Sequence, residues 1–205
     1  MYDSGISASN LIQNVSEEAD IVIPVSSDSW YRWINATEQF IYTEIFKLYA
    51  SKEIWADDLQ DMRTIRLKDD ISVADGVATP DFDDIIKIYA DNTELAKSGV
   101  ISSVVFHDKP LYYTDYAGNI KLSIPFEFQK ITVIYKIKPV LKSAETSYNI
   151  NLPPEFVDML ASRLRGEAYM LANEDTQGAK WLMDYNTRLE TLSAWAAARS
   201  VRYGE

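Results

Sequence analysis

The chain has 205 residues, 47% of them apolar, and Lys+Arg 20 against Asp+Glu 31 give it a formal net charge of −11. That length supports one large domain or a helical scaffold with an inserted lobe, and the acid excess argues against a surface that grips DNA, which needs clustered Lys and Arg. With no cysteine there is no disulfide, zinc–thiolate site or thiol nucleophile, and no apolar run approaches the ~20 residues of a membrane span.

The opening "MYDSGISASNLIQNV" lacks a basic stretch followed by an apolar core, so it does not read as a secretion signal, and a soluble intracellular product, or something assembled inside a cell, is expected. Residues 8 to about 19 predict a short amphipathic helix with Leu11, Ile12 and Val15 on one side and Ser7 or Ser9 as cap. "DIVIPV" ends it, because Pro24 pushes Ile23 into an extended conformation.

"SSDSWYRWINATEQFIYTEIFKLYASKEIW" predicts the main helix of the N-terminal half. Ser26, Ser27 and Asp28 offer caps. Trp30, Ile34, Ile41, Ile45 and Leu48 recur at helical spacing as a buried stripe, with Arg32, Glu38, Glu44 and Lys47 largely off it. Trp33, Phe40 and Phe46 make the helix apolar on more than one side, as expected of one held between neighbours.

From about 56 to 139 the period changes. "IIKIYA", "VISSVVFH", "LYYTDYAGNIKLSI" and "KITVIYKIKP" are short, rich in Ile, Val and Tyr, and separated by turn residues. "YAGN" reads as a hairpin turn, with Gly118 and Asn119 suited to positive φ. Ile131, Val133, Tyr135 and Ile137 alternate with Thr132, Lys136 and Lys138, one face dry and the other mostly wet. "NTELAKSG" (92–99) reads as a turn or a brief helical segment.

"INLPPEFVDML" is an abrupt joint between an extended segment and a helix. Pro153 keeps Leu152 extended and Pro154 fits the first helical turn. Phe156, Met159, Leu160, Leu164, Ala168 and Leu171 predict one apolar face. "NEDTQG" and Gly178 predict a turn or kink at 173–178, followed by a last helix with Leu182, Tyr185, Leu189, Leu192 and Ala196. Two helices of similar length on a short link make an antiparallel pair.

The fold class is therefore α+β: a helical bundle of N- and C-terminal helices with an inserted antiparallel β-rich lobe. The expected divisions are residues 1–55, N-terminal helices; 56–150, the lobe; and 151–205, a helical hairpin and tail forming one domain with the N-terminal helices.

Residues that carry chemistry are sparse. His107 beside Asp108 reads as a solvated loop histidine, since no nucleophile elbow accompanies it. "PDFDD" gathers Asp81, Asp83 and Asp84 but lacks the glycine turn and distal Glu of a calcium loop. No glycine pattern cradles phosphate. Neither a cofactor nor a metal is expected, nor catalysis.

Two stretches stand out for contact instead. Residues 57–84 hold nine Asp, among them Asp57, Asp58, Asp61, Asp69 and Asp70. The terminal "WAAARSVRYGE" places Arg199, Arg202 and Tyr203 at the end of a helix, and Arg and Tyr are residue types enriched where proteins dock. An arginine there also complements the negative helix end.

Taken in order, "SWYRWINATEQFIYTEI", "DFDDIIKIYADNTEL", "ITVIYKIKP", the "LPPEF" joint into "RLRGEAYML", and "AKWLMDYNTRLETL" resemble the head-to-tail adaptor (neck or connector) proteins of tailed bacteriophages. The resemblance covers most of the chain as a pattern of elements. It implies a structural virion protein at the neck, assembled in the host cytoplasm as a ring of about twelve identical copies beneath the portal protein. DNA would pass through the hole without sequence-specific binding, and another neck or tail protein would sit below. Arg199, Arg202 and Tyr203 are then the candidates for portal contact, and Asp57, Asp58, Asp61, Asp69 and Asp70 for the channel or the next ring. The tail is shorter than in adaptors that wrap the portal with long arms. An alternative reading is a β-lobe binding module of another virion component, recognising carbohydrate or protein through exposed Tyr112, Tyr113 and Tyr116.

Overall fold

In the computed structural model, residues 2–18, 25–59, 63–71, 73, 77–98, 109–115, 118–145 and 148–200 are described. Helices flank a β-rich middle, so the class is α+β. The chain divides into two compact units. One joins Met1–Phe46 to Pro139–Glu205, and the other is Lys47–Lys138.

In the first unit, helix α1 (Ala8–Glu18) starts where the Ser7 hydroxyl accepts from Asn10 N at 3.2 Å, and it buries Ala8, Leu11 and Val15. Helix α2 (Ser27–Phe40) is capped by Ser26, whose side chain accepts from Ser29 N. Past Phe40 the helix widens into a π-helical turn, Ile41–Phe46, and Lys47 at φ +49° stops it. Residues 148–150 lie antiparallel to residues 4–8, with Ile150 N donating to Ile6 O at 2.8 Å and Ser4 N to Ile150 O at 3.1 Å. That pairing carries Ile150 and Leu152 into the core. The two prolines then turn the chain through a 3-10 segment, Pro154–Phe156, into helix α4 (Val157–Leu171).

Helix α5 (Asp175–Ser200) runs back along α4. The link is tight: Asn173 takes φ +61°, and Asn173 N and Glu174 N bond back to Met170 O and Tyr169 O, a left-handed helix ending that Asn tolerates. The turn expected within 173–178 falls at its start, at residues 173–174, with no further break at Gly178, and the two helices are unequal, 15 residues against 26. Gly178 lies inside α5 because α4 approaches it closely. A Cβ there would meet Met170 Sδ at 2.6 Å and Gly166 O at 3.1 Å, and one on Gly166 would meet Leu182 Cγ at 2.7 Å. The glycines permit contact rather than interrupt it.

The common core of this unit gathers Trp30, Ile34, Ile41, Ile150, Leu152, Leu160, Leu164, Tyr185 and Leu192. Each fully buried large apolar side chain contributes about 1.5–3 kcal/mol relative to exposure. Trp33 and Phe46, expected on extra faces of α2, pack partly buried against this same core, while Phe40 stays exposed. On α4, Leu171 is exposed although its apolar partners are buried.

The second unit is a seven-stranded sheet among the described residues: β1 (Tyr49–Trp55), β2 (Thr64–Ile65), β3 (Ile85–Ala90), β4 (Thr93–Lys97), β5 (Leu111–Thr114), β6 (Ile120–Ser123) and β7 (Lys130–Lys136). The order is β1-β7-β3-β4-β5-β6-β2. Two segments differ from expectation. Residues 49–55 are strand rather than the end of a helix, since they pair with all of β7 from Tyr49↔Lys136 to Trp55↔Lys130. Residues 93–97 are strand rather than turn or helix, paired with β3 through Ile88↔Leu95. Asp91 at φ +51° makes the intervening bend, and its carboxylate accepts from Gln129 N and Lys130 N at 3.1 Å, which fixes the start of β7.

The sheet is antiparallel except for β4–β5, which is parallel. The connection between those two, residues 98–110, is of the dozen-residue length a parallel neighbour requires. "VISSVVFH" falls in it and lies outside the described residues. The alternation read in β7 holds, with Ile131, Val133 and Tyr135 buried and the intervening residues half-exposed. The β5–β6 hairpin turns at Gly118, φ +80°, with the Asp115 carboxylate accepting from Asn119 N at 2.9 Å.

Candidate interaction surfaces

The antiparallel contact of α4 and α5 is set by the two glycines and by polar and aromatic pairs along the seam. The Ser162 hydroxyl lies 2.6 Å from Asp184 Oδ2, and Arg188 Nε reaches the same oxygen at 2.8 Å. The Ser162 hydroxyl, aided by the Arg188 guanidinium and offset in part by desolvation, holds the Asp184 carboxyl below the ordinary Asp range. Arg163 stands over the Tyr185 ring and Arg165 over the Trp181 ring. Arg165 also pairs with Glu18 at the end of α1. Nothing in the helical periodicity pointed to Gly166 and Gly178 as contact residues. The usable signal was two glycines placed within otherwise helical, apolar-periodic runs.

Toward the end of α5, Trp195 meets Phe156 edge-on at 5.4 Å between centroids and makes tilted contacts with Tyr2 at 5.7 Å and Phe46 at 6.2 Å. Arg199 lies one turn further along, with its guanidinium carbon 3.9 Å from the Trp195 ring centroid. Arg199 is exposed, and among the described residues no acid pairs with it. Arg202 and Tyr203, the other two candidates for partner contact, lie outside the described residues.

The acidic candidates are placed as follows. Asp57 and Asp58 sit exposed on a 3-10 turn, Ala56–Asp58, just after β1. Asp69 and Asp70 belong to the four-residue helix α3 (Leu67–Asp70). Asp69 is exposed, whereas the Asp70 carboxylate turns back to accept from Arg66 N at 2.7 Å. Asp61 lies outside the described residues, as do His107 and Asp108. In "PDFDD" the carboxylates diverge. Asp84 is buried, accepts from Asp81 N at 3.0 Å and pairs with Lys138, while Asp83 is exposed beside Lys97.

Of the tyrosines expected to display an exposed aromatic surface, Tyr112 is 1% exposed and packs edge-on to Phe82. It alternates inward on β5, so it is a core residue. Tyr113 is half-buried and Tyr116 lies outside the described residues.

The polar centre of the helical unit differs from the sequence expectation. Glu38, expected largely off the buried stripe, is fully buried, and so is its partner Lys142. The Glu38 carboxylate accepts from Lys142 Nζ and, at 2.7 Å, from Asn151 N. Beside it, the Asn35 side chain accepts from Lys142 N and donates to Lys142 O, both at 2.8 Å. Burial pushes the Glu38 carboxyl above its ordinary range, against the pull of the Lys142 ammonium and the Asn151 N–H. The available signal was spacing: Glu38 stands four residues after Ile34 and three before Ile41, on the stripe itself.

Several large apolar side chains stay open to solvent. In the helical unit they include Phe40, Leu141, Met170, Leu171 and Met183, the last 73% exposed; in the sheet unit, Tyr49, Trp55 and Phe126. A shallow groove of about 470 Å³ runs beside α2 between Arg32, Gln39 and Leu141. A second hollow of about 320 Å³ lies between Asp57, Arg63, Phe126 and Glu127. No helix among the described residues is long and apolar enough to cross a membrane.

No protein of curated function matches the chain. The family model described as SU10 adaptor protein matches residues 6–204, nearly the whole length. The chain therefore belongs to the SU10 adaptor protein family, bacteriophage head-to-tail adaptors that serve as structural proteins of the virion.

Proposed function

We propose that this adaptor is the subunit of a ring of about twelve copies that docks beneath the portal protein, turns its C-terminal segment toward the portal and surrounds part of the DNA path in the neck. Another neck or tail protein docks on the opposite side, and the ring assembles in the host cytoplasm. The observation that carries this reading is the family match across residues 6–204. Two structural features support it. Exposed Phe40, Leu141, Met170, Leu171 and Met183 supply apolar surface for permanent neighbours, and Arg199 stands exposed near the end of the longest helix, α5.

The acid balance supports the DNA path. Asp57, Asp58 and Asp69 are exposed and no described base pairs with them. A wall of that sign offers phosphate no counterion exchange, so DNA slides past without being held.

The test is copurification of the full chain, and of a chain lacking residues 201–205, with the portal protein of the same phage at physiological salt, followed by electron microscopy. A ring bound to the portal is expected, with weaker binding by the truncated chain. Absence of comigration overturns the reading. Undiminished binding after truncation removes the tail from the contact and leaves the ring.

A further inference from the structure

We infer that Arg199, stacked on Trp195, is a preformed clamp for a carboxylate of the docking partner. This rests on the portal-docking reading above and names the chemistry of its contact. The Arg199 guanidinium carbon lies over the indole, 3.9 Å from the ring centroid, a separation at which a guanidinium stacks on an aromatic face. The in-plane N–H groups of a stacked guanidinium stay free at its edge, and that planar fork matches a carboxylate through two parallel hydrogen bonds. No described acid occupies the edge. The indole beneath is itself fixed by Phe156, Phe46 and Tyr2, residues drawn from three separate parts of the helical unit. An arginine held on a rigid platform loses little freedom on docking, which is the condition for a strong single contact.

The same fork also fits a phosphate. A protein carboxylate is favoured because the chain carries a net charge of −11, which repels DNA, and because one strong cation facing the duplex would hold what must slide. A partner acid set against this arginine also supplies orientation, since like-charged mispairings are penalised.

Binding to the portal protein of the same phage by full-length Arg199→Ala, Arg199→Lys and Trp195→Phe chains tests the clamp, with the 201–205 deletion and a short DNA duplex as further arms. Expected are losses of about tenfold or more for both Arg199 substitutions, a smaller loss for Trp195→Phe, and restoration of an Arg199→Glu chain by an acid-to-arginine change on the portal. Wild-type affinity in Arg199→Lys overturns the clamp, because charge alone then suffices. Wild-type affinity in Arg199→Ala with impaired binding in the deletion overturns it while the docking reading stands. Unchanged binding in all variants overturns both the clamp and the C-terminal contact. An Arg199 effect on duplex binding instead of portal binding identifies phosphate as the ligand and also overturns it.

Discussion

Lys142 Nζ donates to the Glu38 carboxylate with both side chains wholly excluded from water, and the second Glu38 oxygen takes Asn151 N at 2.7 Å. Glu38 thus ties two points of the segment that returns from the sheet, nine residues apart, to helix α2. With Asn35 gripping the Lys142 backbone from both sides, polar bonds fix the position of that segment alongside the burial of Ile150 and Leu152.

Breaking one side of this pair leaves an uncompensated buried charge. Glu38→Ala or Lys142→Ala is expected to cost about 3–5 kcal/mol, whereas the double replacement Glu38→Leu with Lys142→Met removes both charges and is expected to lose less than the sum, about 1–3 kcal/mol for the Asn151 N–H left without its acceptor. Urea denaturation of the three variants and the wild type gives the comparison. Additive losses in the double variant would contradict it.

The two glycines of the α4–α5 contact are not equivalent. A Cβ on Gly166 meets the branched Leu182 Cγ at 2.7 Å and Leu182 N at 3.2 Å, groups that cannot move aside freely. Gly166→Ala is expected to destabilise by about 1–3 kcal/mol through overpacking. At Gly178 the near atoms belong to the flexible, partly exposed Met170, and only Gly166 O at 3.1 Å is rigid. The gain in helix propensity of about 1 kcal/mol then brings Gly178→Ala near neutral. Thermal unfolding midpoints should separate the two.

The Asp184 carboxyl is held below the ordinary Asp value of 3.8, first by the Ser162 hydroxyl and then by Arg188. An acid whose folded-state pKa is depressed contributes stability above its unfolded value and loses it as pH falls through the folded value. The stability advantage of wild type over Ser162→Ala is therefore full above about pH 4 and shrinks below the unfolded Asp value. NMR titration should show the Asp184 carboxyl moving up toward its ordinary range in Ser162→Ala. An unmoved titration would assign the shift to the Arg188 and Arg165 guanidiniums.

Asp91 combines a left-handed backbone with two accepted N–H bonds at the start of β7. Asp91→Ala loses both the bonds and the conformational tolerance, for an expected loss of about 1–2 kcal/mol. Asp91→Asn keeps the conformation and one acceptor oxygen and should lose less. Amide exchange at Gln129 and Lys130 should rise in Asp91→Ala before it rises elsewhere in the sheet.

Much of this architecture is local and was legible in the residues. The Ser7 and Ser26 regions cap their helices, Ile131, Val133 and Tyr135 alternate inward, Gly118 turns its hairpin, and Pro153 and Pro154 switch the chain from extended to helical. Each depends only on propensity and period within a few residues. What tertiary structure decided were the places where a distant partner overrides that preference. Tyr49–Trp55 has a sequence that would continue a helix but becomes strand because all of β7 pairs with it. Glu38 is charged yet buried because Lys142, more than a hundred residues on, neutralises it. Gly178 lies within an unbroken helix because α4 needs the space, and Arg199 is stacked because Trp195 is fixed beneath it by rings from three other segments. In each case the deciding free energy belongs to a packed contact whose partner the local pattern does not name.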